Sequence, residues 1–349
     1  MHLAQWLGTE LPLIQAPMAG NQDSALAIAV SNAGGLGSLP CAMLTPEALH
    51  AELSEIQGGT RRPYNVNFFA HEPPVPDAAR EQRWREALAP YHAEFGIDPA
   101  DIPAGPGRAP FSAEFADVLA EFRPPVVSFH FGLPAPDLLA RVKSWGAKVL
   151  SSATTVEEAL WLEANGADAV IAQGLEAGGH RGHFLSDDLT KQLGTFALVP
   201  QVVKAVRIPV IAAGGIADAA GVRAAMALGA AGVQVGTAYL LAEEATTSAV
   251  LRAGLQSEAA RHTALTNLFT GRPARGIVNR LMREIGPLSA AAPAFPLATA
   301  AVAPLRARSE AQGAGDFSPL WAGQHTAGLQ PGSAAQITQA LAAGFQAGT

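Results

Sequence analysis

The chain has 349 residues, 49% of them hydrophobic, 15% charged and 6% aromatic, with a formal net charge of −7. This composition excludes a disordered chain, and the length exceeds one barrel of about 250 residues by an accessory segment of roughly 80 to 100. No Lys/Arg stripe with interleaved aromatics marks a nucleic-acid surface, no run of about 18 uncharged apolar residues reads as a membrane span, and the lone Cys41 excludes an intrachain disulfide.

The stretch Met1–Pro12 lacks the basic-then-apolar order of a signal peptide, which leads to the expectation of a soluble, cytoplasmic protein. Eight short aliphatic runs then follow: Leu13–Met18, Gly35–Leu39, Tyr64–Phe69, Val126–Phe131, Lys148–Ser152, Ala169–Gln173, Pro209–Ala213 and Gly232–Val235. They are continuously apolar rather than alternating, as strands covered on both faces must be. Amphipathic stretches separate them: Asp23–Asn32, Thr45–Ile56, Pro136–Trp145, Val156–Asn165, Val199–Val206 and Ala217–Leu228. Strict strand-then-helix alternation predicts a parallel sheet, and eight units predict closure into a (β/α)8 TIM barrel.

Two intervals break the rhythm. After the third strand, His71–Arg123 is a long, proline-bearing excursion, predicted as part helix (Asp77–Tyr91) and part lid; after the sixth, a glycine-rich loop runs from Gly174 to about Leu193. Both leave the carboxyl end of a strand, where barrels keep their chemistry. Residues 243–324 carry no strand signal and read as a smaller, mainly helical capping domain, inserted into a barrel formed by 1–242 with 325–349. Ser333–Phe345 is then its returning eighth helix.

The candidate site residues lie at strand ends. Gly214–Gly215 after the seventh strand and Gly236–Thr237 after the eighth let backbone N–H groups approach an anion, and these two loops are the usual phosphate site of a barrel. Tight turns alone are the bland alternative. His180 sits in Gly178-Gly179-His180-Arg181-Gly182, beyond the sixth strand, where an imidazole can act as a base and Arg181 offers an anion-friendly neighbour. Asn67 and Gln173 end apolar strands with amides that need partners, either a ligand's polar edge or barrel backbone. His130 ends the fourth strand and either helps hold an anionic substrate or is a satisfied core histidine. His183 makes a His-x-x-His pair with His180, but no carboxylate joins them and no metal site is expected. No complete GxGxxG or Walker pattern occurs.

Gln15-Ala16-Pro17-Met18, Asn32–Gly37, Asn65-Val66-Asn67, the Gln173–Gly182 run, Ala213–Ile216, Gln234–Thr237 and Gly271–Gly276 together resemble the nitronate monooxygenases, from the first strand to Trp321–Gln324. The resemblance implies an FMN enzyme that oxidises alkyl nitronates with O2 to a carbonyl compound and nitrite, through a flavin semiquinone and without reduced nicotinamide. It implies FMN contacts from Asn67, Gln173, Gly178, Gly215, Gln234, Val235, Gly236 and Thr237, with His180 as the catalytic histidine, in a monomer or homodimer. Some relatives carry tyrosines and a lysine in the cap; Phe295–Ala303 here has none, so a small apolar nitronate is expected rather than an acidic one. An FMN-dependent NAD(P)H:quinone or enoyl-thioester reductase on the same barrel, or a non-catalytic flavin-binding protein, are the alternatives.

Overall fold

The computed structural model describes residues 2–98, 100, 102 and 108–346. Eight parallel strands run in chain order around one sheet: β1 (Leu13–Gln15), β2 (Gly37–Pro40), β3 (Tyr64–Phe69), β4 (Val126–His130), β5 (Lys148–Ala153), β6 (Ala169–Gln173), β7 (Val210–Ala213) and β8 (Gly232–Val235). β8 pairs with β1 at Leu13 opposite Val233, and a bridge from Ile14 to Leu36 joins β1 to the entry of β2, closing the ring. The result is a TIM barrel.

The amino end is stoppered by the short helix Leu3–Leu7. Its Leu3 and Leu7 pack with Ile14, Val126, Leu150, Ile171 and Ile211 from the strands. The outer core lies between strands and helices, and one glycine there has a packing reason: a Cβ on Gly37 would sit 1.9 Å from the carbonyl oxygen of Ala27 in the helix Ser24–Asn32. The carboxyl-terminal helix Ala334–Ala342 opens on a full capping box at Ser333 and packs on the helices Ser24–Asn32 and Ala219–Ala227. It therefore takes the eighth place in the helical ring.

Four features differ from expectation. β1 ends at Gln15 instead of Met18, because Pro17 has no N–H to continue a ladder and Ala16–Met18 turn across the barrel mouth. The helix expected from Val199 starts at Thr195 and carries Pro200 inside it; a proline reads as a helix start, yet here it sits where the backbone tolerates it. Residues 243–324 are not purely helical. Strands Thr263–Thr266 and Ala274–Ile277 pair antiparallel, and the second also pairs with Gly179–His180 from the loop after β6. The helix Ala113–Phe122 within the excursion after β3 is a further element with no counterpart in the sequence reading.

A second, smaller core lies over the mouth. Trp84, Leu88 and Tyr91 of the helix Ala78–Glu94 pack with Leu268, Phe269, Leu281, Val302, Leu305 and Phe317. Trp84 Nε1 donates to the Ala298 carbonyl (3.2 Å), His92 Nε2 to that of Ala301 (2.8 Å), and Arg280 holds Glu94 through two 2.7 Å hydrogen bonds. The excursion after β3 and residues 243–324 thus share one core.

Candidate active site

The carboxyl ends of the strands open into one cavity of about 1340 Å³, open mouth included. Of the sequence-predicted residues, Asn67, His130, Gln173, Gly178, His180, Gly215, Gln234, Gly236 and Thr237 all line it. Val235 does not: it follows Gln234 by one residue on β8, so its side chain turns to the opposite face and is buried in the outer core.

At one end lie Gly214, Gly215, Gly236 and Thr237, joined by Gly323 and His325. Gly214 and Gly215 have φ of +113° and +71°, backbone only glycine adopts without strain. Thr237 Oγ1 accepts from Gly323 N (3.0 Å), and His325 Nδ1 donates to the Gly215 carbonyl (3.1 Å). Gly178 is required by close approach: a Cβ there would lie 2.5 Å from the Gly323 nitrogen.

The three amides are placed differently. Asn67 Nδ2 donates to Ser128 Oγ (2.9 Å). Gln173 is engaged at both ends, Nε2 donating to the His180 carbonyl (2.9 Å) and Oε1 accepting from Gly182 N (2.8 Å), so it holds the loop as well as lining the cavity. Gln234 Oε1 is buried with no partner among the described residues. A buried orphan acceptor is costly, and a donor arriving from a ligand would relieve it.

At the other end is His180, its backbone fixed by pairing with Ala274 and its ring enclosed by Phe69, Phe131, Phe295 and Trp321 at centroid distances of 6.1, 6.1, 5.4 and 5.6 Å. Its Nε2 lies 2.9 Å from Thr270 Oγ1, and that hydroxyl lies 3.4 Å from the Arg272 carbonyl. Either Nε2 or the hydroxyl can donate in this pair, depending on the imidazole tautomer, and Nδ1 makes no hydrogen bond among the described residues. Burial, followed by the charge of Arg108 and further groups including Arg272, holds the imidazole well below its ordinary pKa. It is a neutral acceptor at pH 7.

The positive charge near this ring does not come from Arg181. That side chain is fully buried beneath the loop, donating Nε to Gln192 Oε1 (2.7 Å), Nη1 to the Gly174 carbonyl (2.7 Å) and Nη2 to that of Gln173 (2.8 Å). Arg108, from the excursion after β3, lines the cavity instead. Nothing in the sequence signals it: no motif surrounds it, and only the folding of the excursion over the mouth brings it in. Trp321 and Gly323 were reachable only as the end of the family likeness, and His325 lies one residue beyond it.

The chain matches the family model described as nitronate monooxygenase over residues 2–344. It is 43% identical over 344 residues to a nitronate monooxygenase of Pseudomonas aeruginosa, covering 96% of each chain. A nitronate monooxygenase of Paraburkholderia phytofirmans is 42% identical over 345 residues, 96% of this chain and 92% of the relative. Among solved structures, a nitroalkane oxidase from Streptomyces ansochromogenes superposes with a TM-score of 0.89 at 39% identity, covering 97% of both chains.

Proposed function

The chain belongs to the nitronate monooxygenase family, and from that premise we propose that it binds FMN at the carboxyl ends of its strands and uses O2 to convert small alkyl nitronates to a carbonyl compound and nitrite. The coarser statement stands on the family itself: the protein is a flavin-dependent oxidoreductase that oxidises nitronates. FMN is the flavin whose single terminal phosphate suits two glycine loops, since no dinucleotide-binding unit accompanies the barrel.

Bound there, FMN supplies the capacity to take electrons from the nitronate and pass them to O2. The protein's own residues do the rest. Backbone N–H groups at Gly214–Gly215 and Gly236–Thr237 receive the phosphate. Gln234 Oε1, orphaned and buried, would accept from a donor on the flavin, while Asn67 and Gln173 line the same cavity from other strands. The aromatic rings around His180 exclude water and leave room for a short alkyl group. The His180 imidazole accepts the α-proton when a neutral nitroalkane enters; with a preformed nitronate that step is already done.

The observation that carries this reading is the placement of His180 in the same cavity as both glycine loops. The test is anaerobic mixing of the flavin-loaded protein with ethyl nitronate, following flavin absorbance, then admission of air with nitrite and O2 quantified. Bleaching by nitronate, nitrite release and slow or absent reduction by NADH or NADPH are expected. Rapid NAD(P)H oxidation with no response to nitronate would replace this reading with a quinone or enoyl-thioester reductase. A flavin inert to both would mean a binding protein.

A further inference from the structure

Arg108 is a cation without an assigned purpose. Its guanidinium lies 5.7 Å from the centroid of Phe295, and the His180 ring lies 5.4 Å from the same centroid, so both groups flank one aromatic side chain. The Arg108 carbonyl accepts from His71 Nε2 (3.0 Å), which anchors its backbone beside this wall. Nη1 is buried with no partner among the described residues. Among the described residues lining the cavity there is no aspartate or glutamate. Burial and the neighbouring Arg306 disfavour its charged form. Arg108 is half-buried, but an Nη1 shut off from solvent with no acceptor is costly to keep, and here it points to an anion delivered from outside.

The other arginines near the mouth are placed differently. Each nitrogen of Arg181 donates to a protein acceptor. Arg272 stacks 4.2 Å from the Phe131 centroid and donates to the His183 carbonyl; its Nε is also buried without a partner among the described residues, but it does not line the cavity. The glycine loops that would take a phosphate are at the opposite end.

We propose that Arg108 receives the anionic nitro oxygens of the nitronate, making it the residue that sets preference for the nitronate over the neutral nitroalkane. The assignment rests on the functional reading above. A planar guanidinium presents paired N–H donors that match a planar, two-oxygen anion, and because charge-assisted hydrogen bonds are the stronger ones it favours the anion over the neutral form of the same shape. When His180 deprotonates a neutral nitroalkane, the same guanidinium meets the negative charge as it forms.

Nitrite, a planar two-oxygen anion, is the probe. Titrated into flavin-loaded protein and followed by the flavin difference spectrum, it is expected to bind saturably to the wild type. Arg108→Gln should weaken it by roughly 10- to 100-fold, the range for a lost charged hydrogen bond, and Arg108→Lys should restore part of the loss. KM for ethyl nitronate should rise in parallel in Arg108→Gln while KM for neutral nitroethane changes by less than about threefold. Flavin content and Tm should hold, since glutamine keeps a polar side chain at a half-buried position and removes an unpartnered buried Nη1.

Unchanged nitrite affinity in Arg108→Gln, or equal KM increases for both substrates, would overturn the assignment, as would loss of flavin and of Tm together. A wild type that binds nitrite through Arg108 yet turns over no nitronate would overturn the functional reading and leave the anion site standing.

Discussion

The ring of His130 reaches the backbone carbonyl of His180: Nε2 lies 3.1 Å from that oxygen, while Nδ1 lies 2.9 Å from Ser152 Oγ. Because the carbonyl only accepts, Nε2 carries the proton and Nδ1 accepts from the serine. Burial pushes the imidazole down to about 3, so this arrangement is not disturbed at neutral pH. Nε2 holds the segment that bears His180 while Nδ1 anchors the ring on Ser152 of β5, so both nitrogens are engaged, which favours a positioning role over direct contact with an anion. His130→Leu should lower kcat by about 10- to 100-fold through misplacement of the His180 ring, with KM for nitronate and flavin content little changed. Measuring kcat and KM separately checks this. A KM effect that dominates would mean His130 touches substrate.

For His180 itself, the substrate's protonation state separates roles. A positioned base contributes about 10²–10⁴ in rate. His180→Asn should therefore cost far more with neutral nitroethane than with preformed ethyl nitronate, while flavin stays bound. Equal losses would show that the ring orients the nitronate instead.

Flavin retention tests the glycine loops. Gly215 has φ of +71° and a Cβ there would lie 3.4 Å from Glu176 Cβ. Gly215→Asp adds both backbone strain and a carboxylate against a phosphate, so the purified variant should be colourless. Wild-type protein should release FMN, not FAD, on denaturation, as chromatography would show.

Arg181→Met keeps most of the aliphatic volume but leaves Gln192 Oε1 and two buried carbonyls without their donors. Unsatisfied buried groups cost about 1–3 kcal/mol each, so a loss of about 3–5 kcal/mol is expected, read as a lower denaturation midpoint in urea. A change under 1 kcal/mol would mean the loop relaxes freely.

Acid sensitivity follows from the histidines. Burial lowers His71 to about 4 and His130 and His183 to about 3, and His180 well below its ordinary value. Between those values and about 6.5 the unfolded chain binds protons that the folded chain refuses, so stability is fully present above pH 6.5 and falls as pH drops through that window. Each such histidine costs roughly 1–2 kcal/mol by pH 5. Urea midpoints from pH 7.5 to 5 should decline, and His183→Gln should flatten the slope by up to about 1.4 kcal/mol per pH unit.

The barrel was legible because its strands are continuous apolar runs at βα spacing, a local signal. Gly214–Gly215, Gly236–Thr237 and His180 were legible because position at a strand's carboxyl end narrows what such residues do. Thr263–Thr266 and Ala274–Ile277 were not. Each is four residues long, and neither alternates cleanly; they are strands only because they find each other and Gly179–His180 across long separations. Arg108 was illegible for the same reason, since its environment is assembled by the excursion's fold and not by its neighbours in sequence. Arg181 was misplaced because adjacency to His180 says nothing about which side of an extended segment faces the ligand.

The pairing of His180 with Ala274 makes the enzyme non-modular. Residues 243–324 look exchangeable, a roof that could be swapped between relatives to retune substrate choice. Yet one of their strands is the rail on which the histidine is mounted. A graft that shifts Ala274 by a residue would turn the His180 segment to the other face, so specificity and chemistry must be inherited or redesigned together.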